Sequence, residues 1–288
     1  MAAFPADTQQ ISYANLAQLR TLPDYGQLRR LLFSVQMQNF EQFLRPLGTD
    51  PEKDVDEVAL GWRGGNHSAF FGLAQGRFNP AQAQAYVTKE QLPTSEYQGF
   101  TLDAFGSGLG RDDLFFTFLN SNLAAFGRLS DLKAVIDGYL GRRATLDSDA
   151  EFVNWEAALE GSGPQWGVTT GKAAANLAVP WLVGAKPQQK SDLSTLLAPV
   201  KAVLYETNWN TDFSANITVV CRDAQSAQTL AQLLMICRDS PAFTNSRPPD
   251  VLNFIQGLRI ASSGNRVELA GSGSPGVLNR FLRNLNGR

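Results

Sequence analysis

Four patterns follow one another in Val58–Val87 (VALGWRGGNHSAFFGLAQGRFNPAQAQAYV). They are a run of alternating apolar residues, a turn, a second alternating run and an amphipathic stretch. Period-two alternation of apolar residues is typical of β-strands. Gly64–Asn66 supplies residues that tolerate the positive φ of a tight turn. Asn79 and Pro80 then predict a helix start, because Asn caps a helix and Pro fits its first turn. This segment therefore predicts strand, turn, strand and helix.

The same order of patterns returns at Val203–Ile236 (VLYETNWNTDFSANITVVCRDAQSAQTLAQLLMI). Here Asp223 stands where Asn79 caps the first helix, and it precedes apolar residues spaced like one face of a helix. Arg77 and Arg222 each lie just before the cap. The sequence therefore predicts an internal duplication.

The order of the remaining patterns extends the duplication to the whole chain. We expect an α+β fold of two similar tandem domains, each with the order β-α-β-β-α-β-β-α and a mixed or antiparallel sheet covered by helices. The domains are predicted at residues 1–145 and 166–288. Residues 146–165 form the linker, which carries a short helix.

Several individual elements are predicted outside the repeated segment. A helix is expected from about Asp24 to Leu44, with a break near Gln36–Gln38. Strands are predicted at Tyr97–Phe105, Leu114–Ala125 and Phe254–Ala261, and a final helix at Pro275–Leu285.

Composition narrows the class of protein. The chain has 288 residues, 43% hydrophobic and 18% charged, which is typical of a globular protein. Its formal net charge of −2 lacks the basic excess of a nucleic-acid-binding surface. The sequence contains no apolar run long enough for a transmembrane helix. The two cysteines, Cys221 and Cys237, are read as buried thiols, with a disulfide between them as the alternative.

Two segments resemble exported or envelope-associated bacterial proteins of unknown function. They are FPADTQQISYANL at Phe4–Leu16 and ATLDSDAEFVNW at Ala144–Trp155. The resemblance implies export and repeated α+β domains, and it implies no enzyme activity and no site residues. The opening residues lack the pattern of a signal peptide, so the chain starts either in the cytosol or after a leader that has been removed.

The sequence contains few residues of the kinds that form catalytic, metal-binding or nucleotide-binding sites. His67, the only histidine, falls in a predicted turn, and no nucleophile motif accompanies it. One histidine and two scattered cysteines do not form a zinc set. The acidic segment Asp50–Glu57 lacks the glycine and glutamate of a calcium loop and is interpreted as a solvated loop. Glycine-rich Gly271–Gly276 lacks the following strand of a dinucleotide site. No catalytic residue, metal ligand or cofactor is therefore predicted.

The aromatic residues Trp62 and Trp209 lie near the two predicted hairpins, and exposed aromatics often anchor partners. We therefore name this pair as candidate partner-binding residues, with core packing as the alternative.

These observations favour a non-enzymatic, exported or cell-envelope scaffold that binds an unknown protein or envelope partner. The alternative is a small-molecule or lipid-binding module that uses an apolar interdomain cleft. An enzyme with an unfamiliar carboxylate or arginine site is a third possibility.

Overall fold

The protein has a mixed α+β fold with antiparallel sheet pairing, as the sequence predicts. The computed structural model describes residues 2–22, 25–26, 29, 35–63, 69–110, 112–159, 161, 163–175, 197–209, 212–240, 249–274 and 276. The chain divides into two compact units, Met1–Ala157 (unit 1) and Ala158–Arg288 (unit 2).

Unit 1 contains seven described strands. They are β1 (Gln10–Asn15), β2 (Val55–Trp62), β3 (Phe70–Gly76), β4 (Thr94–Tyr97), β5 (Phe100–Phe105), β6 (Leu114–Asn120) and β7 (Leu123–Arg128). Its described helices are α1 (Leu16–Leu19), α2 (Val35–Leu44), α3 (Pro80–Glu90) and α4 (Leu129–Tyr139). A fifth helix, α5 (Ala150–Leu159), crosses the boundary between the units and confirms the short helix predicted for the linker.

The unit 1 strands lie in the order β1-β2-β3-β7-β6-β5-β4, and every neighbouring pair is antiparallel. Both faces of the sheet are covered in its centre. Phe115 and Phe116 are adjacent on β6 and therefore point to opposite faces, yet each is more than 90% buried. Burial on both faces explains why β3 lacks a polar side along Phe70–Ala74.

Unit 2 contains the strands β8 (Gln165–Thr170), β9 (Val200–Trp209), β10 (Phe213–Cys221), β11 (Arg259–Ser263) and β12 (Arg266–Gly273). They lie in the order β8-β9-β10-β12-β11, again antiparallel throughout. The helices α6 (Ala224–Asp239) and α7 (Pro249–Gln256) separate β10 from β11. A buried cluster around Ala227, Leu230 and Val267 forms the core between α6 and the sheet.

The strand register is the same in the two units. In the β2–β3 ladder a bulge follows Val55, which pairs with Gly76. In the β9–β10 ladder a bulge follows Val200, which pairs with Cys221. A bulge inserts an unpaired residue at a defined point of a ladder, so its position is a specific marker of register.

A side-chain cap begins the helix that follows β3 and the helix that follows β10: Asn79 lies three residues after Gly76, and Asp223 lies two residues after Cys221. Asn79 Oδ1 accepts a hydrogen bond from Gln82 N at 3.1 Å, and Asp223 Oδ1 accepts one from Ser226 N at 2.8 Å. Both predicted caps are therefore confirmed.

Three sequence predictions are wrong in detail. Tyr97–Phe105 is not one strand, because the chain turns at Gln98 and Gly99, which both have positive φ. Leu114–Ala125 is likewise two strands joined at Ser121–Asn122. Unit 1 therefore has two strands more than the predicted order. Phe254 lies in helix α7 rather than in a strand, because Pro249 begins a helix there.

The predicted break near Gln36 is also wrong, because α2 runs without interruption through Val35–Leu44. Other predictions fall outside the described residues: the turn at Gly64–Asn66 with His67, much of the helix from Asp24, and nearly all of the helix at Pro275–Leu285.

Candidate functional site

The most distinctive site of unit 1 is an apolar cavity of about 30 Å³ between helix α2 and the sheet. Five phenylalanines dominate its wall: Phe40, Phe78, Phe116, Phe118 and Phe126. The volume corresponds to about one water molecule, and the apolar wall offers such a molecule few partners.

Helix α2 is positioned over the sheet by ring contacts. Phe40 is 2% exposed, and its ring centroid lies 5.1 Å from that of Phe126 and 5.7 Å from that of Phe105. Phe43 lies 4.8 Å from Phe105 and 5.9 Å from Phe116, both edge-to-face. Aromatic pairs in these arrangements add to the stabilisation from burial, so α2 is held firmly by its apolar face.

Glu41 places a carboxylate in the wall of this apolar cavity. It is 6% exposed, and Arg29 Nη2 lies 2.5 Å from its Oε1. Burial raises the pKa of Glu41 to about 7, although the charge of Arg29 acts in the opposite direction. Arg29 also contacts Glu52 Oε1 at 3.2 Å, so it joins α2 to the acidic segment before β2.

The acidic segment itself is paired with arginines rather than being a simple solvated loop. Arg45 lies 3.1 Å from Asp50 and 3.2 Å from Glu52. Arg77 lies 3.7 Å from Asp54 and donates a 2.7 Å hydrogen bond to the carbonyl of Lys53. These contacts give the segment a structural role, since they fix the chain that leads into β2.

A second buried carboxylate, Asp103, lies on β5. It is 5% exposed, and among the described residues its Oδ1 has no hydrogen-bond partner. Burial, and then the negative charge of Glu96, raise the pKa of Asp103 to about 6. Sequence reasoning missed both Glu41 and Asp103. Each is a charged residue at a position where the helical or strand periodicity predicts an apolar residue, and this mismatch was the available signal.

The two predicted partner-binding residues have different environments. Trp209 is 8% exposed, its Nε1 donates to Thr207 Oγ1 at 3.0 Å, and its ring lies 4.7 Å from Phe213. Trp62 is half-buried. Gln10 of β1 pairs with Trp62, and Gln165 of β8 pairs with Thr207, so the two tryptophans do not occupy corresponding positions in the two ladders. Their role in binding a partner stays a prediction.

The described part of the chain contains no group of three or more His, Cys, Asp or Glu residues arranged to hold a metal ion. Both cysteines are free thiols, and burial raises the pKa of each. Among the described residues no helix is both long enough and apolar enough to cross a membrane.

Comparison with known proteins gives a similarity of fold only. No family model and no curated protein matches the chain. The crystal form I structure of TP0453 matches 99% of this chain and 96% of its own, with a TM-score of 0.56 and 9% sequence identity. At that identity the match supports the α+β fold and carries no residue roles.

Proposed function

We propose that this protein is a non-enzymatic binding protein of the bacterial cell envelope, exported to its place of action and built from two copies of one α+β unit. The single observation that carries the non-enzymatic role is the nature of the cavity beneath α2. Its wall is apolar, and the carboxylate in it, Glu41, is already paired with Arg29. Such a cavity suits packing or apolar binding better than proton transfer, which needs a group free to reach substrate.

The two-copy architecture is supported by hydrogen bonds that recur between matching residues. Gly76 N–H donates to the carbonyl of Asn122 at 3.0 Å, and Cys221 N–H donates to the carbonyl of Asn265 at 2.8 Å. The following residue repeats the match: Arg77 N–H bonds the carbonyl of Asp54 at 2.7 Å, and Arg222 N–H that of Pro199 at 2.8 Å. Two unrelated folds would not be expected to share both these hydrogen bonds and the bulges after Val55 and Val200.

An experimental structure tests the architecture directly. Superposition should place β1-β2-β3-β7 on β8-β9-β10-β12 with Val55 on Val200 and Asn122 on Asn265. A best superposition in another register, or with another strand order, would refute the two-copy proposal.

The envelope location rests on the resemblance of Phe4–Leu16 and Ala144–Trp155 to exported proteins. Fractionation of native cells, followed by the intact mass of the native protein, tests it. A processed or lipidated N-terminus in the envelope fraction is expected. Unprocessed protein in the cytosol would contradict export.

A second candidate function is the binding of an apolar small molecule or lipid chain, and the phenylalanine wall of the cavity favours it. Because about 30 Å³ holds only a water molecule, such a ligand requires α2 to move away from the sheet. Protein purified from its native source without detergent would then carry the ligand, detected by extraction and mass spectrometry.

A matched pair of variants sharpens that test. Ala74→Leu adds a larger side chain to the cavity wall, whereas Ala157→Leu adds the same side chain at an exposed position of α5. Loss of the co-purified molecule only in Ala74→Leu supports the ligand function. Native protein without any bound apolar molecule would contradict it.

A further inference from the structure

Hairpin β4–β5 is an addition to the repeated unit. In unit 1 the sheet continues past β6 into β5 and β4, whereas in the described part of unit 2 it ends at β11, the counterpart of β6. This added hairpin carries Asp103, the buried carboxylate whose Oδ1 has no hydrogen-bond partner among the described residues.

The register of the hairpin brings four oxygen-bearing side chains to one face. Asp103 pairs with Thr94, and Glu96 pairs with Thr101. Directly paired residues of antiparallel strands share a face, so Asp103 and Glu96 are diagonal neighbours, with Cα atoms typically about 7–8 Å apart. Thr101 Oγ1 donates a 2.8 Å hydrogen bond to Glu96 Oε1, which orients that carboxylate along the hairpin.

Among the residues that the structure describes, no cation balances the charge of this face. Glu41 and Asp131, two other buried or half-buried carboxylates of unit 1, each contact an arginine. Within the described residues, neither Asp103 nor Glu96 has an ion pair with a lysine or arginine. A buried carboxylate without a partner is costly, and a second carboxylate nearby adds repulsion. A cation between the two would remove both costs.

We propose that Asp103 and Glu96, with the hydroxyl groups of Thr94 and Thr101 and with water, bind a calcium ion on the β4–β5 hairpin. Carboxylate, hydroxyl and water oxygens are hard donors, which suit Ca²⁺ rather than zinc or copper. Ca²⁺ also accepts the irregular geometry that strand side chains offer, whereas Mg²⁺ demands a near-ideal octahedron. With only two carboxylates the affinity falls in the millimolar range.

Thermal unfolding of the full-length chain tests the site. The protein is first treated with a chelator, then heated with and without 10 mM CaCl₂ at constant ionic strength, and bound calcium is counted by equilibrium dialysis. We expect one bound ion and a rise in Tm of about 3 °C, the size expected for a ligand present at several times its Kd.

Three variants locate the ion. Asp103→Asn and Glu96→Gln keep the side-chain shapes and remove one charge each, so either should abolish both the bound calcium and the rise in Tm. Glu90→Gln removes an exposed charge from α3 and should leave both unchanged. Far-UV circular dichroism verifies that each variant is folded.

Two further outcomes would overturn the assignment. No bound calcium at 10 mM, or a rise in Tm that survives Asp103→Asn, would refute the site. An equal rise with MgCl₂ would refute the choice of calcium.

Discussion

Asn122 holds Gly76 by two hydrogen bonds: its carbonyl accepts from Gly76 N–H at 3.0 Å, and its Nδ2 donates to the Gly76 carbonyl at 3.2 Å. Asn265 binds Cys221 in the same way, at 2.8 and 3.0 Å. Each asparagine lies at the turn of a hairpin and ties that hairpin to the end of the strand that precedes the capped helix. In each unit these two hydrogen bonds connect the hairpin turn to the segment that leads from the sheet into the capped helix.

The asparagine contacts predict matched effects of substitution. Asn122→Ala and Asn265→Ala each remove the side-chain bond and should each lower the free energy of unfolding by about 1 kcal/mol. Urea unfolding measures the loss, with Asn154→Ala at an exposed position of α5 as the control. A loss for one asparagine and none for the other would show that the two contacts are not energetically equivalent.

The aromatic contacts of α2 predict a large effect at Phe40. Phe40→Ala removes a ring that is 2% exposed and contacts Phe105 and Phe126, so the free energy of unfolding should fall by about 3–5 kcal/mol. Val153→Ala, at a position of α5 that is 39% exposed, should change the free energy of unfolding by less than about 0.5 kcal/mol. Similar values for the two variants in urea unfolding would argue against a tightly packed α2.

The raised pKa of Glu41 predicts a pH-dependent stability. The pKa is about 7 in the folded protein against 4.5 for an exposed glutamate, so the folded state binds the proton more tightly. Its contribution to stability is therefore complete below pH 4.5 and is lost as the pH rises through 7. The stability difference between the native protein and Glu41→Gln should change by up to about 3 kcal/mol across this window.

Urea unfolding at several pH values between 4.5 and 8 measures that difference. Asp103→Asn provides a comparison, because burial raises the pKa of Asp103 from 3.8 to about 6. The stability contributed by Asp103 is therefore lost over a lower pH range than that of Glu41. A difference for Glu41→Gln that stays constant with pH would mean that its carboxyl titrates normally.

The cap of α3 predicts a modest and specific loss. Asn79→Ala removes the acceptor for Gln82 N–H and should cost about 1 kcal/mol, whereas Asn79→Asp keeps an acceptor and should cost less. Chemical denaturation of the two variants measures the difference. Equal losses would show that the capping bond contributes little.

The sequence was informative wherever a local rule decides the structure. Asn79 and Asp223 predicted two helix starts because a cap needs only its own turn. It was misleading where a hairpin turn carries weak signals, as at Gln98–Gly99, where a glutamine adopts positive φ that its residue type does not favour. It also missed the Arg29–Glu41 pair, because the spacing along a helix does not reveal which charge lies opposite.

The sequence by itself determined the α+β class and the order of strand, strand and capped helix that occurs twice, because these follow from hydrophobic periodicity and backbone preference. Only the tertiary structure decided which strands are neighbours, that β7 and β12 return to β3 and β10, and that Asp103 is buried with its Oδ1 unpaired among the described residues. The physical reason is that pairing and burial depend on residues distant in sequence, whose approach no local pattern encodes.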